Sequence, residues 1–248
     1  MLKELLSLFR SDDAIARMGE DFSTMLGLAS ELAVRAGQVF FGETSKENER
    51  EEIAKRDRKI NKLERQIRKQ VIVHLTINAD SGDVPYSLLL MGIVKDVERL
   101  GDYAKNLAEI HDEGGGPVPD DENAAELRQI RQIVEETFGA VNAVFTASDS
   151  DAAIELIKGG RDVGRRCDAL ITKVAGSSYD AATTTSMVLA TRYYKRFESH
   201  LLNVLSGIVM PLHKLNYFDE DLLDTDDPLD ESVFDAEVDE PEDAADDG

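Results

Sequence analysis

The chain has 248 residues, of which 42% are hydrophobic, so it is long enough to bury a substantial core in one or two domains. Its formal net charge of −22 disfavours binding to nucleic acids and anionic lipids, because both attract basic surfaces. Its one cysteine, Cys167, allows no internal disulfide and is typical of a reducing compartment. The chain contains no run of about 18 apolar residues, and we expect a cytoplasmic protein without direct membrane insertion.

Long helices are predicted along the first half of the chain. Apolar residues recur there at alternating steps of three and four, which is typical of helices that pack along a seam. The three stripes cover residues 18–39, 53–74 and 90–108, and the turn NADSGDVP separates the second from the third. We expect each helix to span roughly 25 to 35 residues.

A stretch rich in glycine and proline, HDEGGGPVPDDENAAEL at 111–127, separates the two halves. Three further stripes follow it, so the predicted fold is all-α, with two tandem three-helix up-down bundles and a disordered acidic C-terminal tail. The predicted domains are an N-terminal bundle with a short leading helix at 1–112, a linker at 113–122, a C-terminal bundle at 123–217 and the tail at 218–248.

The predicted tail contains most of the excess negative charge. Residues 219–248 include 16 acidic side chains and no Lys or Arg. Such a segment is too charged to form a core of its own, which favours disorder. Alternatively, its Leu222, Leu223 and Phe234 anchor it as an acidic peptide in the groove of a basic partner.

The two halves also resemble each other weakly, which suggests an internal repeat. Superposing the second helix on the fifth places Ile60 on Val163, and superposing the third helix on the sixth places Arg99 on Arg196.

Polar side chains occupy the seam between the second and third helices. Asp57 and Glu64 lie at seam positions of RDRKINKLERQI, and Asn61 lies one turn from each. Glu98 and Asp102 lie one turn apart on the third helix, where two like charges repel. If these helices form a hairpin, the two sets face each other. Converging carboxylates without a lysine among them require a cation, and their oxygens suit Mg²⁺, Mn²⁺, Ca²⁺ or iron.

The same residues also fit a solvated polar face. In that interpretation Asp102 pairs with Lys105 at i,i+3, and Asp57 is a tolerated polar residue of the seam. Spacing alone leaves both interpretations open. The four histidines are interpreted as packed or surface residues.

Two segments resemble those of a known family. VERLGDYAKNL at 97–107 resembles the Glu-Arg-Ile-Gly-Asp motif of the PhoU family of phosphate-transport regulators, and RDRKINKLE at 56–64 resembles the Asp-x-x-Val-Asn/Asp-x-x-Glu segment one helix earlier. PhoU proteins are tandem three-helix bundles, so the resemblance extends over residues 12–215. It implies a divalent or trivalent metal ion, such as iron, manganese, magnesium or zinc, with Arg99 as an anchor for neighbouring carboxylates. The ligands implied in this way are Asp57, Asn61, Glu64, Glu98 and Asp102.

The second half departs from the family pattern. Positions equivalent to the five implied ligands are occupied, in the same order, by Gly160, Gly164, Cys167, Lys195 and Ser199. We therefore predict that the second bundle binds no comparable metal cluster.

The resemblance implies a regulator without catalytic residues. Such a regulator is a helical adaptor between the ATPase subunit of a phosphate ABC transporter and a membrane sensor histidine kinase, and a homodimer is expected. The alternatives are a metal-independent helical scaffold and a carboxylate-metal hydrolase or oxidase. Ferritin-like enzymes require Glu-x-x-His pairs on facing helices, and the chain has none.

Overall fold

The computed structural model describes residues 13–77 and 82–215. These residues form six α-helices and one short 3₁₀ helix, without a β-strand among them, which confirms the all-α prediction. The elements in chain order are α1 (Asp13–Phe40), α2 (Lys46–Ile77), α3 (Val84–Glu109), α4 (Glu122–Ala147), α5 (Ser150–Ala175), α6 (Ala181–Val209) and the 3₁₀ helix Leu212–Lys214. The predicted leading helix and the predicted acidic tail lie outside the described residues.

The helices form the two bundles expected from the apolar stripes. Helices α1, α2 and α3 contact one another as bundle one, and α4, α5 and α6 contact one another as bundle two. The bundles meet where α1 contacts α4 and where α3 contacts α6. The first contact joins the first helices of the two bundles, and the second contact joins their third helices. The packing of the bundles therefore agrees with the internal repeat. None of the helices in the described ranges is long and apolar enough to span a membrane.

The predicted stripes supply the cores of both bundles. Met18, Phe22 and Ile60 are inaccessible to solvent, and most apolar stripe residues of the other helices are also buried. Burying one such side chain stabilises the fold by about 1.5 to 3 kcal/mol. The apolar spacing predicts Leu156 as the first core residue of the fifth helix. This prediction is wrong by one residue, because Ile157 is buried and Leu156 is partly exposed.

Aspartate side chains define where the helices of bundle two begin. Asp121, Asp149 and Asp180 precede α4, α5 and α6, and each accepts hydrogen bonds from backbone N–H groups in the first turn of its helix. These bonds satisfy donors that have no partner within the helix.

The connection between the bundles packs against the first turn of α6. The backbone N–H of Gly116 donates to the carbonyl oxygen of Ala182 at 2.9 Å, and the carbonyl oxygen of Gly116 accepts from Ser186 Oγ at 2.7 Å. A Cβ atom at Gly116 would lie 2.6 Å from the backbone nitrogen of Thr183. The glycine run therefore permits a close contact between the connection and α6, in addition to ending α3.

Arg131 on α4 joins bundle two to the connection between α1 and α2. Its guanidinium donates to both carboxylate oxygens of Glu43 at 2.6 and 3.1 Å, and to Glu135 Oε1 at 2.7 Å. It also lies over the ring of Phe41, 5.1 Å from the ring centroid. Only 12% of the Arg131 side chain is exposed, so solvent screens these interactions less than at the surface.

We expect Arg131→Met to destabilise the protein by roughly 1 to 3 kcal/mol, because it removes a mostly buried guanidinium and leaves the partly buried Glu135 and the exposed Glu43 without their cation. Urea unfolding followed by circular dichroism measures the loss. Arg165→Met is the matched control, since Arg165 pairs with Asp162 where both side chains are more than half exposed. Its effect should stay below about 0.5 kcal/mol, and equal losses in the two variants would contradict the assigned role of Arg131.

Candidate functional site

Helices α2 and α3 approach each other closely at Gly101. A Cβ atom at Gly101 would lie 3.2 Å from Ile60 Cδ1 and 3.8 Å from Asp57 Oδ1. The missing side chain leaves room for the Asp57 carboxylate against the turn of α3 that carries Glu98 and Asp102. The predicted hairpin therefore brings the two polar sets together.

The carboxylates of this turn repel one another. Burial raises the pKa of Asp57, and the negative charges of Asp102 and Glu98 raise it further, against the opposing charge of Lys105. Burial also raises the pKa of Asp102, with a further contribution from Glu98. Neither Asp57 nor Asp102 has a hydrogen-bond or ion-pair partner among the described residues. The carboxylates of this site therefore repel one another, and a bound cation would reduce this repulsion.

Two of the five predicted ligands already have a cationic partner. Glu98 is buried and forms an ion pair with Lys95 at 2.6 Å, and Glu64 forms an ion pair with Arg68 at 3.1 Å. Asn61 lines an open pocket together with Glu64 and Glu98. Glu98 is thus shared by two groups of predicted ligands. Its charge acts on Asp57 and Asp102, and its side chain lines the same pocket as Asn61 and Glu64.

The solvated-face interpretation is only partly correct. Lys95 and Glu98 form an i,i+3 ion pair, whereas Asp102 and Lys105 do not. Arg99 is exposed and forms no ion pair among the described residues, although its positive charge acts to lower the pKa of Asp102. Its role as an anchor for neighbouring carboxylates stays a prediction.

The conformations of the acidic side chains do not form a closed metal site. Within residues 13–77 and 82–215, no group of three or more His, Cys, Asp or Glu side chains is positioned to hold a metal ion. The residue types nevertheless fit a hard cation, because Asp57, Glu98 and Asp102 supply oxygen donors in a partly buried place with excess negative charge.

Helices α5 and α6 of bundle two also approach each other closely at a glycine. The glycine lies on the first helix of this pair and the carboxyl residue on the second, the reverse of bundle one. A Cβ atom at Gly160 on α5 would lie 2.4 Å from Glu198 Oε1 on α6. Gly160 is equivalent to Asp57, and Glu198 is equivalent to Gly101. The carboxyl group and the glycine have therefore exchanged helices between the bundles. Glu198 was not predicted from the sequence, although the superposition that places Arg99 on Arg196 also places Gly101 on Glu198.

Glu198 is a buried carboxyl group of bundle two. Its side chain is 2% exposed, Oε1 lies 3.5 Å from Thr137 Oγ1, and Oε2 has no hydrogen-bond partner in the described part of the chain. Burial raises the pKa of Glu198 to about 8, so this carboxyl group is mainly protonated at neutral pH.

The predicted counterparts of the metal ligands in bundle two form no acidic cluster. Lys195 binds Asp168 with Nζ to carboxylate oxygen distances of 2.6 and 2.7 Å. Cys167 is buried, and burial raises the pKa of its thiol to about 12. Ser199 Oγ donates to the backbone carbonyl oxygen of Lys195.

A second polar cluster, also missed by the sequence analysis, links the bundles where α3 contacts α6. Asp96 Oδ1 lies 2.8 Å from His200 Nδ1 and accepts a hydrogen bond from Asn203 Nδ2 at 2.6 Å. The His200 ring stacks on Tyr103 with a centroid distance of 5.5 Å. This cluster fixes α6 against the helix that carries Glu98 and Asp102. No local sequence pattern indicates it, because Asp96 and His200 belong to different bundles.

Comparison with known proteins identifies bundle one. Residues 15–111 match the family model of the PhoU domain, and this range covers nearly all of α1, α2 and α3. Over these residues the chain is similar to the PhoU domain, in agreement with the resemblance noted from its sequence. The four acidic predicted ligands and Asn61 all lie inside the matched range.

Solved structures of PhoU proteins share the whole two-bundle fold. The crystal structure of PhoU from Pseudomonas aeruginosa matches with a TM-score of 0.70 and 19% identity, and the match covers 82% of this chain and 99% of that one. The phosphate transport system regulatory protein PhoU from Streptococcus pneumoniae matches with a TM-score of 0.66 and 19% identity over 84% of this chain and 96% of that one. Among curated proteins, none matches the chain.

The buried carboxyl group of bundle two predicts a pH-dependent stability. The folded-state pKa of Glu198 is raised from 4.5 to about 8, so between these values the folded chain binds more protons than the unfolded chain. The stability contributed by the protonated carboxyl group is complete below the lower value and is lost as the pH rises through about 8. We expect Glu198→Gln to reduce the fall of the urea midpoint between about pH 5 and pH 9.

Glu155→Gln is the matched control for this experiment, because Glu155 is exposed on α5 and pairs with Lys158. The urea midpoint of this variant should depend on pH in the same way as that of the wild type. Parallel profiles for wild type and Glu198→Gln would show that Glu198 does not hold a proton in the folded state.

Proposed function

We propose that the protein is a PhoU-like regulator of phosphate uptake and phosphate signalling. The observation that carries this proposal is that the PhoU domain coincides with bundle one, which contains the repelling carboxylates. The two-bundle fold, shared with the phosphate transport system regulatory protein PhoU from Streptococcus pneumoniae, supports it. In this role the protein is a cytoplasmic, homodimeric adaptor that links the ATPase subunit of a phosphate transporter to a sensor histidine kinase.

We further propose that bundle one binds a divalent or trivalent cation. Asp57, Glu98 and Asp102 are the principal ligands, because their charges act on one another and two of them have no partner among the described residues. Asn61 and Glu64 lie at the edge of the site and add donors from the adjoining pocket. A bound cation would supply positive charge between α2 and α3, which would stabilise their close approach at Gly101.

A metal-independent helical scaffold is the second candidate function. The ion pairs of Glu98 with Lys95 and of Glu64 with Arg68 favour it, since they neutralise two of the proposed ligands without a metal. The metal content of the protein decides between the two candidates.

Elemental analysis of protein purified without an affinity tag tests the metal proposal. We expect bound iron, manganese, magnesium or zinc in the wild type and little in Glu98→Ala/Asp102→Ala, because this variant removes both ligands on α3. Glu155→Ala/Asp162→Ala is the control, since it removes two exposed carboxylates from bundle two and should leave the metal content unchanged. Near-zero metal in the wild type, even after incubation with Mn²⁺, would exclude the metal site and favour the scaffold.

Co-purification tests the adaptor role. The ATPase subunit and the sensor kinase from the same organism should each bind the purified wild-type protein. Failure of both to bind, in the presence and absence of Mn²⁺, would contradict the adaptor role whatever the metal content proves to be.

A further inference from the structure

Helix α2 carries a local excess of positive charge in a strongly acidic chain. Between Lys55 and Lys69 it has eight Lys or Arg residues and only two acidic residues, whereas the formal net charge of the whole chain is −22. The excess is therefore specific to this part of the surface.

Four of these cations form a stripe along one face of α2. They follow the spacing i, i+4, i+7 and i+11, which places them above one another on successive turns. All four are exposed, and none has an ion-pair partner among the described residues. These residues, which we call the basic stripe, are Arg58, Lys62, Arg65 and Lys69.

Two other cations of the same helix form ion pairs within the protein. Arg56 pairs with Glu31 and Glu52, and Arg68 pairs with Glu64. The basic stripe lacks such pairs, and each like-charge pair on neighbouring turns destabilises a helix by roughly 0.2 to 0.5 kcal/mol. An anionic partner would convert this repulsion into attraction.

An exposed apolar residue continues the basic stripe. Ile72 occupies the next position of the same spacing, one turn beyond Lys69. It is 60% exposed, more than any other large apolar side chain in the described ranges. Protein interfaces commonly combine an apolar anchor with charged surroundings, because the anchor gives affinity and the charges give specificity.

The basic stripe also adjoins the candidate cation site. Arg58, Lys62 and Arg65 line the open pocket that contains Asn61, Glu64 and Glu98. From Arg58 to Ile72 the surface extends about 21 Å along α2. An extended segment of about six or seven residues has this length.

We propose that the basic stripe and Ile72 form a docking surface for an acidic segment of a partner protein that carries an exposed apolar residue. A protein segment fits better than a nucleic acid or a membrane, because a long polyanion or a flat anionic surface would also meet the negative charge of the rest of the chain. A short segment contacts α2 alone. The proposal rests on the proposed regulatory function only for the expectation that a partner exists.

Fluorescence anisotropy with a fluorescein-labelled peptide of alternating Glu and Leu tests the surface on the metal-free, full-length protein. We expect binding that weakens at least about tenfold between low and high salt. Lys62→Glu/Arg65→Glu should weaken binding by at least about tenfold, and Ile72→Ser by about threefold at high salt, where the apolar contact dominates. The same peptide with Gln in place of Glu should not bind.

Lys158→Glu/Arg165→Glu is the matched control, because it makes the same change of net charge at exposed cations of α5 that pair with acidic residues. It should bind the peptide like the wild type, and circular dichroism should show both double variants to be folded. Equal weakening in both double variants would overturn the proposal, since the effect would then follow from net charge alone.

No binding of the peptide to the wild type would also overturn the proposal and leave the basic stripe as a solvated helix face. Tighter, stripe-dependent binding of anionic vesicles or of duplex DNA would overturn it in favour of a lipid or a nucleic acid. Because these measurements use metal-free protein and no transporter component, their failure leaves the metal analysis and the co-purification results unaffected.

Discussion

The close approach of α2 and α3 at Gly101 determines the chemistry of bundle one. It places the Asp57 carboxylate against the turn that carries Glu98 and Asp102, where burial and mutual repulsion raise the pKa of both aspartates. Carboxylates in such a place destabilise the fold unless opposite charge compensates them. Lys95 supplies part of this charge to Glu98, while Asp57 and Asp102 have no partner among the described residues. The geometry of one glycine contact is therefore the physical basis of the proposed cation site.

The equivalent helix contact in bundle two surrounds a different set of ionisable groups. Exchange of glycine and acid between the facing helices leaves Glu198 without a second carboxylate near it, so burial dominates and favours the protonated form. Lys195 replaces Glu98 and pairs with Asp168, which removes the excess negative charge that a cation would neutralise. One backbone arrangement thus supports a cluster of repelling carboxylates in bundle one and a single protonated carboxyl group in bundle two.

Contacts between the bundles connect these two sites. Helix α3 packs against α2 on the side of Asp57, and the Asp96–His200 contact joins it to α6, the helix of Glu198. Arg131 and the glycine-rich connection provide further links between the bundles. The basic stripe lies on the exposed face of α2, where a partner would contact the same helix that holds Asp57.

The sequence alone determined the helices, their approximate ends, the division into two bundles and the set of acidic residues in bundle one. These properties follow from local patterns, since apolar periodicity specifies the buried face of each helix and Asp, Gly and Pro mark the ends. Tertiary structure decided which polar groups meet. The isolation of Glu198, the contact of Asp96 with His200 and the partners of Glu64 and Glu98 depend on how helices rotate and pack against one another. Residues far apart in the chain set that packing, so no local pattern contains it.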